Sequence, residues 1–170
     1  MQDQTLEKTS KDLQCVVVSV EYRLAPKNPY PAAPDDCETA ALWLVKNSKK
    51  EFNVEKIIIG GESAGANLSV VTLQRLKDKD MIEPFKGANL IYGSYDARLT
   101  PSTIQKKGSN EFFLLSFEMI KKFRDSYFQG DIDLSLPDVS PIQSDLTGMP
   151  PALFTVGTRD LLLDDSLFMY

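Results

Sequence analysis

Histidine is absent from this chain of 170 residues. Imidazole is the side chain most often used as a general base and a frequent metal ligand, so no histidine within these residues fills either role. The two cysteines, Cys15 and Cys37, stand far apart, which gives none of the clustered Cys/His spacing of a metal site. Both are expected to be small buried packing residues, and nothing in the sequence argues for a disulfide between them.

Long apolar runs and basic blocks are missing as well. No apolar stretch approaches the roughly 20 residues of a membrane-spanning helix, so no membrane span is predicted. The net charge of -5 argues against the basic surface through which proteins bind nucleic acid. No leader of charged and then apolar residues starts at Met1, which favours a cytoplasmic protein.

The pattern that is present alternates short apolar runs with helical periodicities. Strands are predicted at 15–20, 56–60, 88–93 and 152–157, and helices at about 35–50, 64–77 and 116–128. Asp35 or Asp36 is expected to cap the first of these helices. Alternation of this kind is typical of βαβ units. It predicts an α/β fold with a mostly parallel sheet, about four strands and helices on both faces.

Two other features concern the organisation of the chain. Residues 94–148 hold one predicted helix among loops rich in Pro, Ser, Asp and Gly, and so long a connection is more often functional than idle. A helix start at Asp164-Asp165-Ser166 lies only four residues before Tyr170. The predicted strand at 15–20 should also have neighbours on both sides. These features predict a single incomplete domain over residues 1–170.

A Gly-x-Ser-x-Gly segment, Gly61-Glu62-Ser63-Ala64-Gly65, lies between the second predicted strand and the helix that follows it. That order is the context of a nucleophile elbow, which makes Ser63 a candidate nucleophile. The backbone N–H of Ala64, at the positive end of the helix, is a candidate oxyanion donor. A Cβ at Gly61 or Gly65 is expected to collide with the neighbouring strand or helix. The alternative is a glycine-rich turn with an ordinary N-cap serine.

The acid of a Ser-Asp-His triad should follow a later strand. Asp160, just past the fourth predicted strand, is the preferred candidate, and Asp164 and Asp165 compete with it. The alternative role of the latter two is to cap the next helix. Asp96 fits a turn residue. Glu62 fits a structural or electrostatic role better than that of a base, because neighbouring side chains at an elbow diverge.

Five aromatic residues are candidates to line an acyl pocket, although residues at their near-helical spacing are more often plain core. They are Phe112, Phe113, Phe117, Phe123 and Tyr127.

Several further motifs occur in the order found in the hormone-sensitive-lipase-like family of α/β-hydrolases, which the chain resembles over nearly its whole length. They are Tyr22-Arg23-Leu24-Ala25-Pro26, Pro29-Tyr30-Pro31-Ala32-Ala33, the serine segment with Asn67, Ser140-Pro141, Leu146, Pro150-Pro151, and the run from Val156 to Asp165. Residues 95–138 are the least similar part.

The resemblance implies a carboxylesterase or lipase that acts on small short- to medium-chain acyl esters without a metal or organic cofactor. It places Ser63 at the nucleophile, Asp160 at the triad acid and Ala64 at the oxyanion donor. Residues 95–138 resemble part of the family's cap. Arg23 and Asp36 match a structural part of the pattern, from which we expect an ion pair that fixes the proline-rich loop.

The chain also departs from the family pattern. It has no His-Gly-Gly-Gly segment and no triad histidine, and it carries Ala66 where many members have glycine. The first two absences predict truncation at both ends and little or no esterase activity for these 170 residues alone. The alternative is a binding protein similar to the gibberellin receptors, which hold a ligand without turning it over. A non-catalytic scaffold is a third hypothesis. The sequence does not indicate an oligomeric state.

Overall fold

Three parallel strands form the sheet at the centre of the molecule, and they lie in the order in which the chain makes them. The computed structural model describes residues 2–108 and 115–170. The strands are β1 (Ile57–Glu62), β2 (Phe85–Ile91) and β3 (Ala152–Thr155). The helices are α1 (Gln2–Leu13), α2 (Ala32–Phe52), α3 (Ala64–Lys77), α4 (Pro101–Ile104), α5 (Phe117–Tyr127) and α6 (Leu163–Met169), with a 3-10 turn at Pro141–Gln143. The α/β-hydrolase fold class is thus confirmed.

One face of the sheet is covered by α3, which also packs against α2. Ala88 and Leu90 of β2 point to this side and are buried, as are the helix residues Val70 and Leu73. The side chains buried on this face form the main apolar core of the chain, and their packing fixes α3 directly behind the carboxyl end of β1.

The opposite face of the sheet is open. Ile58 of β1 and Leu153 of β3 are 65% and 64% exposed. Leu153 pairs with Asn89 of β2, and Ile58 pairs with Gly87, two residues before Asn89. The strand register therefore places Ile58 and Leu153 on the same side of the sheet as Asn89. Helices therefore cover one face of the sheet within the described residues.

The predicted strand at 15–20 is wrong. This segment forms no strand, because the sheet contains no partner for it among the described residues, so there are three strands rather than about four. A strand is stabilised by its backbone ladder, and apolar composition alone cannot supply one. Val16 and Val18 are about half exposed, at 51% and 46%. Cys15 is exposed, so its predicted burial is also wrong.

Cys37 behaves differently from Cys15. It is partly buried in α2, and neither cysteine forms a disulfide. Burial, followed by the charge of Asp36, raises the pKa of the Cys37 thiol to about 11. A thiol held in this neutral form is consistent with a packing role.

The helices agree closely with the pattern in two places and differ in two others. α3 has the predicted bounds, and α5 begins after Ser116, whose hydroxyl accepts a hydrogen bond from Met119 N. α2 begins at Ala32, ahead of the predicted cap at Asp35 or Asp36, with no side-chain cap. α6 begins at Leu163 rather than at Ser166.

Both aspartates near the start of α2 instead form ion pairs. Asp36 accepts hydrogen bonds from Arg23, including one of 2.9 Å from the backbone N–H and one of 2.9 Å from Nε. Arg23 Nη2 also lies 3.4 Å from the carbonyl of Ala32. The expected ion pair is therefore present, and it ties the start of the proline-rich loop to the first turn of α2.

Among the described helices, none is both long enough and apolar enough to cross a bilayer.

Candidate active site

Ser63 occupies a sharp turn between β1 and α3. Its backbone has φ 53° and ψ -116°, a conformation that L-residues rarely adopt and that costs about 1–3 kcal/mol. Its N–H donates to the carbonyl of Ile91 at the end of β2, at 2.9 Å, and its own carbonyl accepts from Ala66 and Asn67 of the helix. Its hydroxyl makes no capping bond. This is the geometry of a nucleophile elbow, and it differs from an N-cap serine, which has extended backbone and accepts from the helix.

The turn depends on Gly61. A Cβ built on this residue would lie 2.3 Å from the carbonyl carbon of Gly65 and 2.5 Å from its oxygen. The collision expected at Gly61 is therefore confirmed. The collision expected at Gly65 is wrong, because a Cβ there would meet no atom within 4 Å. The first turn of α3 passes over Gly61, whereas the Gly65 position opens outward.

Ala64 is the first residue of α3 and is exposed. The first N–H groups of a helix have no acceptor within the helix, and the helix dipole adds positive potential at that end. The Ala64 amide therefore has the position and the polarity that an oxyanion donor needs.

Glu62 is tied to the neighbouring strand rather than to Ser63. Its Oε2 accepts a 2.9 Å hydrogen bond from the hydroxyl of Tyr92, the residue just after β2. That hydrogen bond, together with burial and the charges of Glu62 and Asp160, raises the pKa of Tyr92. Glu62 thus has the structural role expected for it, and Asp160 is close enough for its charge to act on Tyr92.

Asp160 lies between β3 and α6, at the edge of the sheet where the three parallel strands end. Its backbone N–H donates to the carbonyl of Gly157 at 3.0 Å, and its Oδ1 accepts from the N–H of Leu162 at 2.9 Å. Its side chain is partly exposed. Because Ser63 follows β1 and this loop follows β3, the structure brings both predicted site residues to one edge of the sheet, with β2 between them.

The competing acids have other partners. Asp165 is only 1% exposed and accepts from Tyr95 N, Asp96 N and the Thr100 hydroxyl. Asp164 accepts from Ser102 N at 2.7 Å. The expected alternative, that both cap the following helix, is wrong: their hydrogen bonds go to a segment more than 60 residues earlier.

Asp96 has the turn role expected for it. Its Oδ1 accepts from the N–H of Arg98 at 2.9 Å, and the two side chains form an ion pair.

The aromatic residues of α5 do not share one surface. Phe123 is 58% exposed, while Tyr127 packs edge to face against Tyr30 with ring centroids 6.1 Å apart. Ile120, about one turn before Phe123, packs against Leu161 and Leu162 beside Asp160. Phe112 and Phe113 lie outside the described residues.

This edge of the sheet brings together the candidate nucleophile Ser63, the candidate oxyanion donor Ala64 and the candidate acid Asp160. No histidine is present among the 170 residues to serve as the base of a Ser-Asp-His triad. Two features were not visible in the sequence: the Glu62–Tyr92 hydrogen bond and the buried Asp165. Both depend on partners from distant segments, and neither has a local signal.

Comparison with known proteins is consistent with this geometry. The model of a family described as having the alpha/beta hydrolase fold matches residues 1–170. The chain belongs to this family, and within it to the hormone-sensitive-lipase-like group.

Among curated proteins, an esterase of Acinetobacter venetianus is 37% identical over 90% of this chain and 49% of its own length. The carboxylic ester hydrolase LipN of Mycobacterium tuberculosis is 35% identical over 92% of this chain and 43% of its own length. The chain thus spans about half the length of the curated relatives that it matches.

Solved structures agree. A hyperthermophilic esterase from the archaeon Pyrobaculum calidifontis superposes with a TM-score of 0.89 and 34% identity, covering 98% of this chain and 54% of that one. The thermostable carboxylesterase EstE1, cloned from a metagenomic library, gives a TM-score of 0.90 and 29% identity, covering 98% and 57%.

Proposed function

We propose that this chain carries the nucleophile and the acid of a serine carboxylesterase. The observation that carries the proposal is the backbone of Ser63, held at φ 53° between β1 and the start of α3. A strained conformation of this kind persists only where surrounding structure enforces it. Here it presents the serine at the edge of the sheet where residues 156–162, the loop that carries Asp160 and is called the acid loop below, also lie.

The proposed reaction runs through an acyl-enzyme. A histidine supplied from outside these 170 residues takes the proton of the Ser63 hydroxyl as its oxygen attacks the ester carbonyl. Asp160 holds that histidine in its reactive tautomer. The Ala64 N–H stabilises the negative oxygen of the tetrahedral intermediate, the alcohol leaves with the proton, and water then hydrolyses the acyl-enzyme.

The proposed substrates are small esters with short to medium acyl chains. This rests on the resemblance to the family and on the relatives, which are named as an esterase and a carboxylic ester hydrolase. We further propose that residues 95–138 form part of a cap over the acyl group. The contact of Ile120 with Leu161 and Leu162 supports this, because it places α5 directly behind the acid loop.

The first test uses the 170-residue chain itself. We expect it to show little or no hydrolysis of a p-nitrophenyl acyl ester, because loss of the base lowers kcat by several orders of magnitude. The rate is compared with that of Ser63→Ala. A robust rate that Ser63→Ala abolishes would show that another group serves as the base.

The second test uses the whole gene product, expressed with the coding sequence that flanks these residues. Ser63→Ala should remove measurable turnover, and Asp160→Asn should lower kcat by roughly 10⁴-fold. Asp164→Asn is the matched control, since the amide keeps an acceptor for Ser102 N. Turnover that survives Ser63→Ala would reject the proposal. Saturable binding of an ester without turnover would favour the binding-protein alternative.

A further inference from the structure

The carboxylate of Asp165 is the most buried acidic side chain of the described residues, and the proposed reaction does not use it. The side chain belongs to the first turn of α6, but each of its hydrogen bonds goes to another part of the chain. The donors are Tyr95 N at 2.6 Å, Asp96 N at 3.1 Å and the Thr100 hydroxyl at 2.6 Å. All three lie in Tyr95–Thr103, here called the stem segment, which opens the 95–138 region.

Asp165 lies at the end of a set of hydrogen bonds that join the stem segment to the acid loop, residues 156–162. The hydroxyls of Ser102 and Thr103 both donate to the carbonyl of Leu161, at 2.7 and 2.8 Å. The Ser102 hydroxyl also accepts from Asp164 N at 3.2 Å. The carbonyl of Leu161, the residue after Asp160, is therefore held in place by the stem segment.

Packing reinforces the same junction. Leu161 and Leu162 are 3% and 4% exposed, and they bury against Ile120 of α5. Asp160 stands at the boundary between this buried cluster and solvent. Its own side chain is oriented by the N–H of Leu162, so any displacement of the buried leucines moves the carboxylate directly.

We propose that Asp165 is a positioning residue for Asp160, acting through the stem segment. A buried carboxylate with three donors has a defined place, and removing it leaves three donors without an acceptor. Those donors belong to the stem segment, whose Ser102 and Thr103 hydroxyls hold the carbonyl of Leu161. The orientation of Asp160 thus depends on the same segment that leads into the 95–138 region. The inference rests on the proposed function, because it assigns a role relative to the triad acid.

The test measures kcat and KM of the whole gene product on a p-nitrophenyl acyl ester. Asp165→Ala should lower kcat by roughly 10- to 100-fold, since misplacing a catalytic group by about 1 Å has effects of this size. KM should change by less than about threefold, because Asp165 is not placed against the substrate. Asp165→Asn should restore kcat to within about threefold, since its amide oxygen accepts from both backbone N–H groups and its NH2 can donate to the Thr100 hydroxyl.

Two more variants make the result decisive. Ser166→Ala is the matched control: it is the adjacent buried residue, and its hydroxyl has no hydrogen-bond partner in the part of the chain that the structure describes, so kcat should not change. Thr100→Val removes one of the three bonds and replaces Asp165→Ala if that protein does not fold. It should lower kcat by a smaller factor than Asp165→Ala.

The outcomes separate the two proposals. If Ser63→Ala leaves turnover intact, the proposed function fails, whatever Asp165 does. If turnover depends on Ser63 but a folded Asp165→Ala protein keeps the wild-type kcat, the positioning role is rejected. Where Asp165→Ala does not fold, a wild-type kcat for Thr100→Val rejects it. Equal losses in Asp165→Ala and Asp165→Asn would also reject it, because they would assign the effect to charge rather than to hydrogen bonding.

Discussion

The backbone of Ser63 costs free energy at a residue whose hydroxyl makes no helix-capping hydrogen bond. Gly61 makes the turn possible, because its missing Cβ leaves room for the backbone of Gly65. The two glycines of the segment therefore have different functions, although the sequence pattern treats them alike. One is a steric requirement of the elbow, and the other is a residue in the first turn of a helix.

This difference gives a stability prediction. Gly61→Ala should destabilise the chain by about 3 kcal/mol or more, because the new methyl meets backbone atoms that cannot move without breaking the turn. Gly65→Ala is the matched control. It should be neutral or stabilising by up to about 1 kcal/mol, since alanine favours a helix and its Cβ meets no atom. Urea unfolding followed by circular dichroism measures both. Similar losses in the two variants would contradict the assignment.

Residues with local or sequence-encoded signals could be predicted, and residues with distant partners could not. Ser63 follows from its place between an apolar run and a helix, and the Arg23–Asp36 pair follows from the resemblance. Asp165 has no such signal. In sequence it is indistinguishable from a residue in the acidic first turn of a helix, and only the fold brings Tyr95 to it from 70 positions away.

At the level of elements, Arg75 joins three parts of the chain. It lies near the end of α3, and it forms ion pairs with Asp35 and Glu38 of α2 and with Asp138, after α5. Its side chain is only 17% exposed. The Tyr30 hydroxyl donates to Asp138 at 2.7 Å, so the proline-rich loop joins the same cluster.

Removing this cation should be costly. Arg75→Met leaves three carboxylates close together, and the cost should be about 2–3 kcal/mol, between the values for exposed and buried ion pairs. Lys49→Met is the control, because the Lys49–Glu55 pair is 63% and 72% exposed and its loss should cost no more than about 0.5 kcal/mol. Chemical denaturation compares the two. Equal small effects would mean that the cluster does not stabilise the fold.

The same cluster predicts a pH dependence. Burial alone would raise the pKa of Asp138, but hydrogen bonds from Arg75 and Tyr30 outweigh it and hold the pKa below its ordinary value. A carboxylate whose pKa is lowered by folding contributes stability above its unfolded pKa, about 3.9, and loses that contribution as the pH falls through its folded pKa. The difference in unfolding free energy between wild type and Arg75→Met should therefore shrink below about pH 4. A constant difference between pH 6 and pH 2 would contradict this.

Among the elements, the bounds of α3 were predicted accurately because three signals in the sequence agree. They are the apolar face of the helix, its glycine-containing start and the strand that precedes it. The strand at 15–20 was not predicted accurately, because composition reports only that a segment suits a sheet. Whether it joins one depends on a neighbouring strand, and the described sheet pairs β1 only with β2. Likewise Asp35 and Asp36 do not cap α2, which begins at Ala32, and both are engaged by arginines from other segments.

For the whole molecule, the parallel sheet is what assembles the site. Because all three strands run in one direction, Ser63, Tyr92 and the acid loop emerge at the same edge. That juxtaposition follows from strand order and could be anticipated from the alternation of strands and helices. The face of the sheet that is covered could not be anticipated, because both faces carry isoleucine, leucine or alanine and only the packing of α3 distinguishes them.

The open face gives the last prediction. Ile58 and Leu153 present large apolar side chains on a pleated surface, and exposed apolar patches of this kind promote association. The 170-residue chain should therefore self-associate with increasing concentration in sedimentation velocity, and it should bind a fluorescent apolar dye. The double variant Ile58→Lys with Leu153→Lys should shift it towards the monomer. Leu24→Lys is the matched control, since Leu24 is equally exposed at 65% but lies in the proline-rich loop, away from the sheet. A wild-type chain that stays monomeric, or a Leu24→Lys variant that dissociates as completely as the double variant, would show that the sheet face does not drive association.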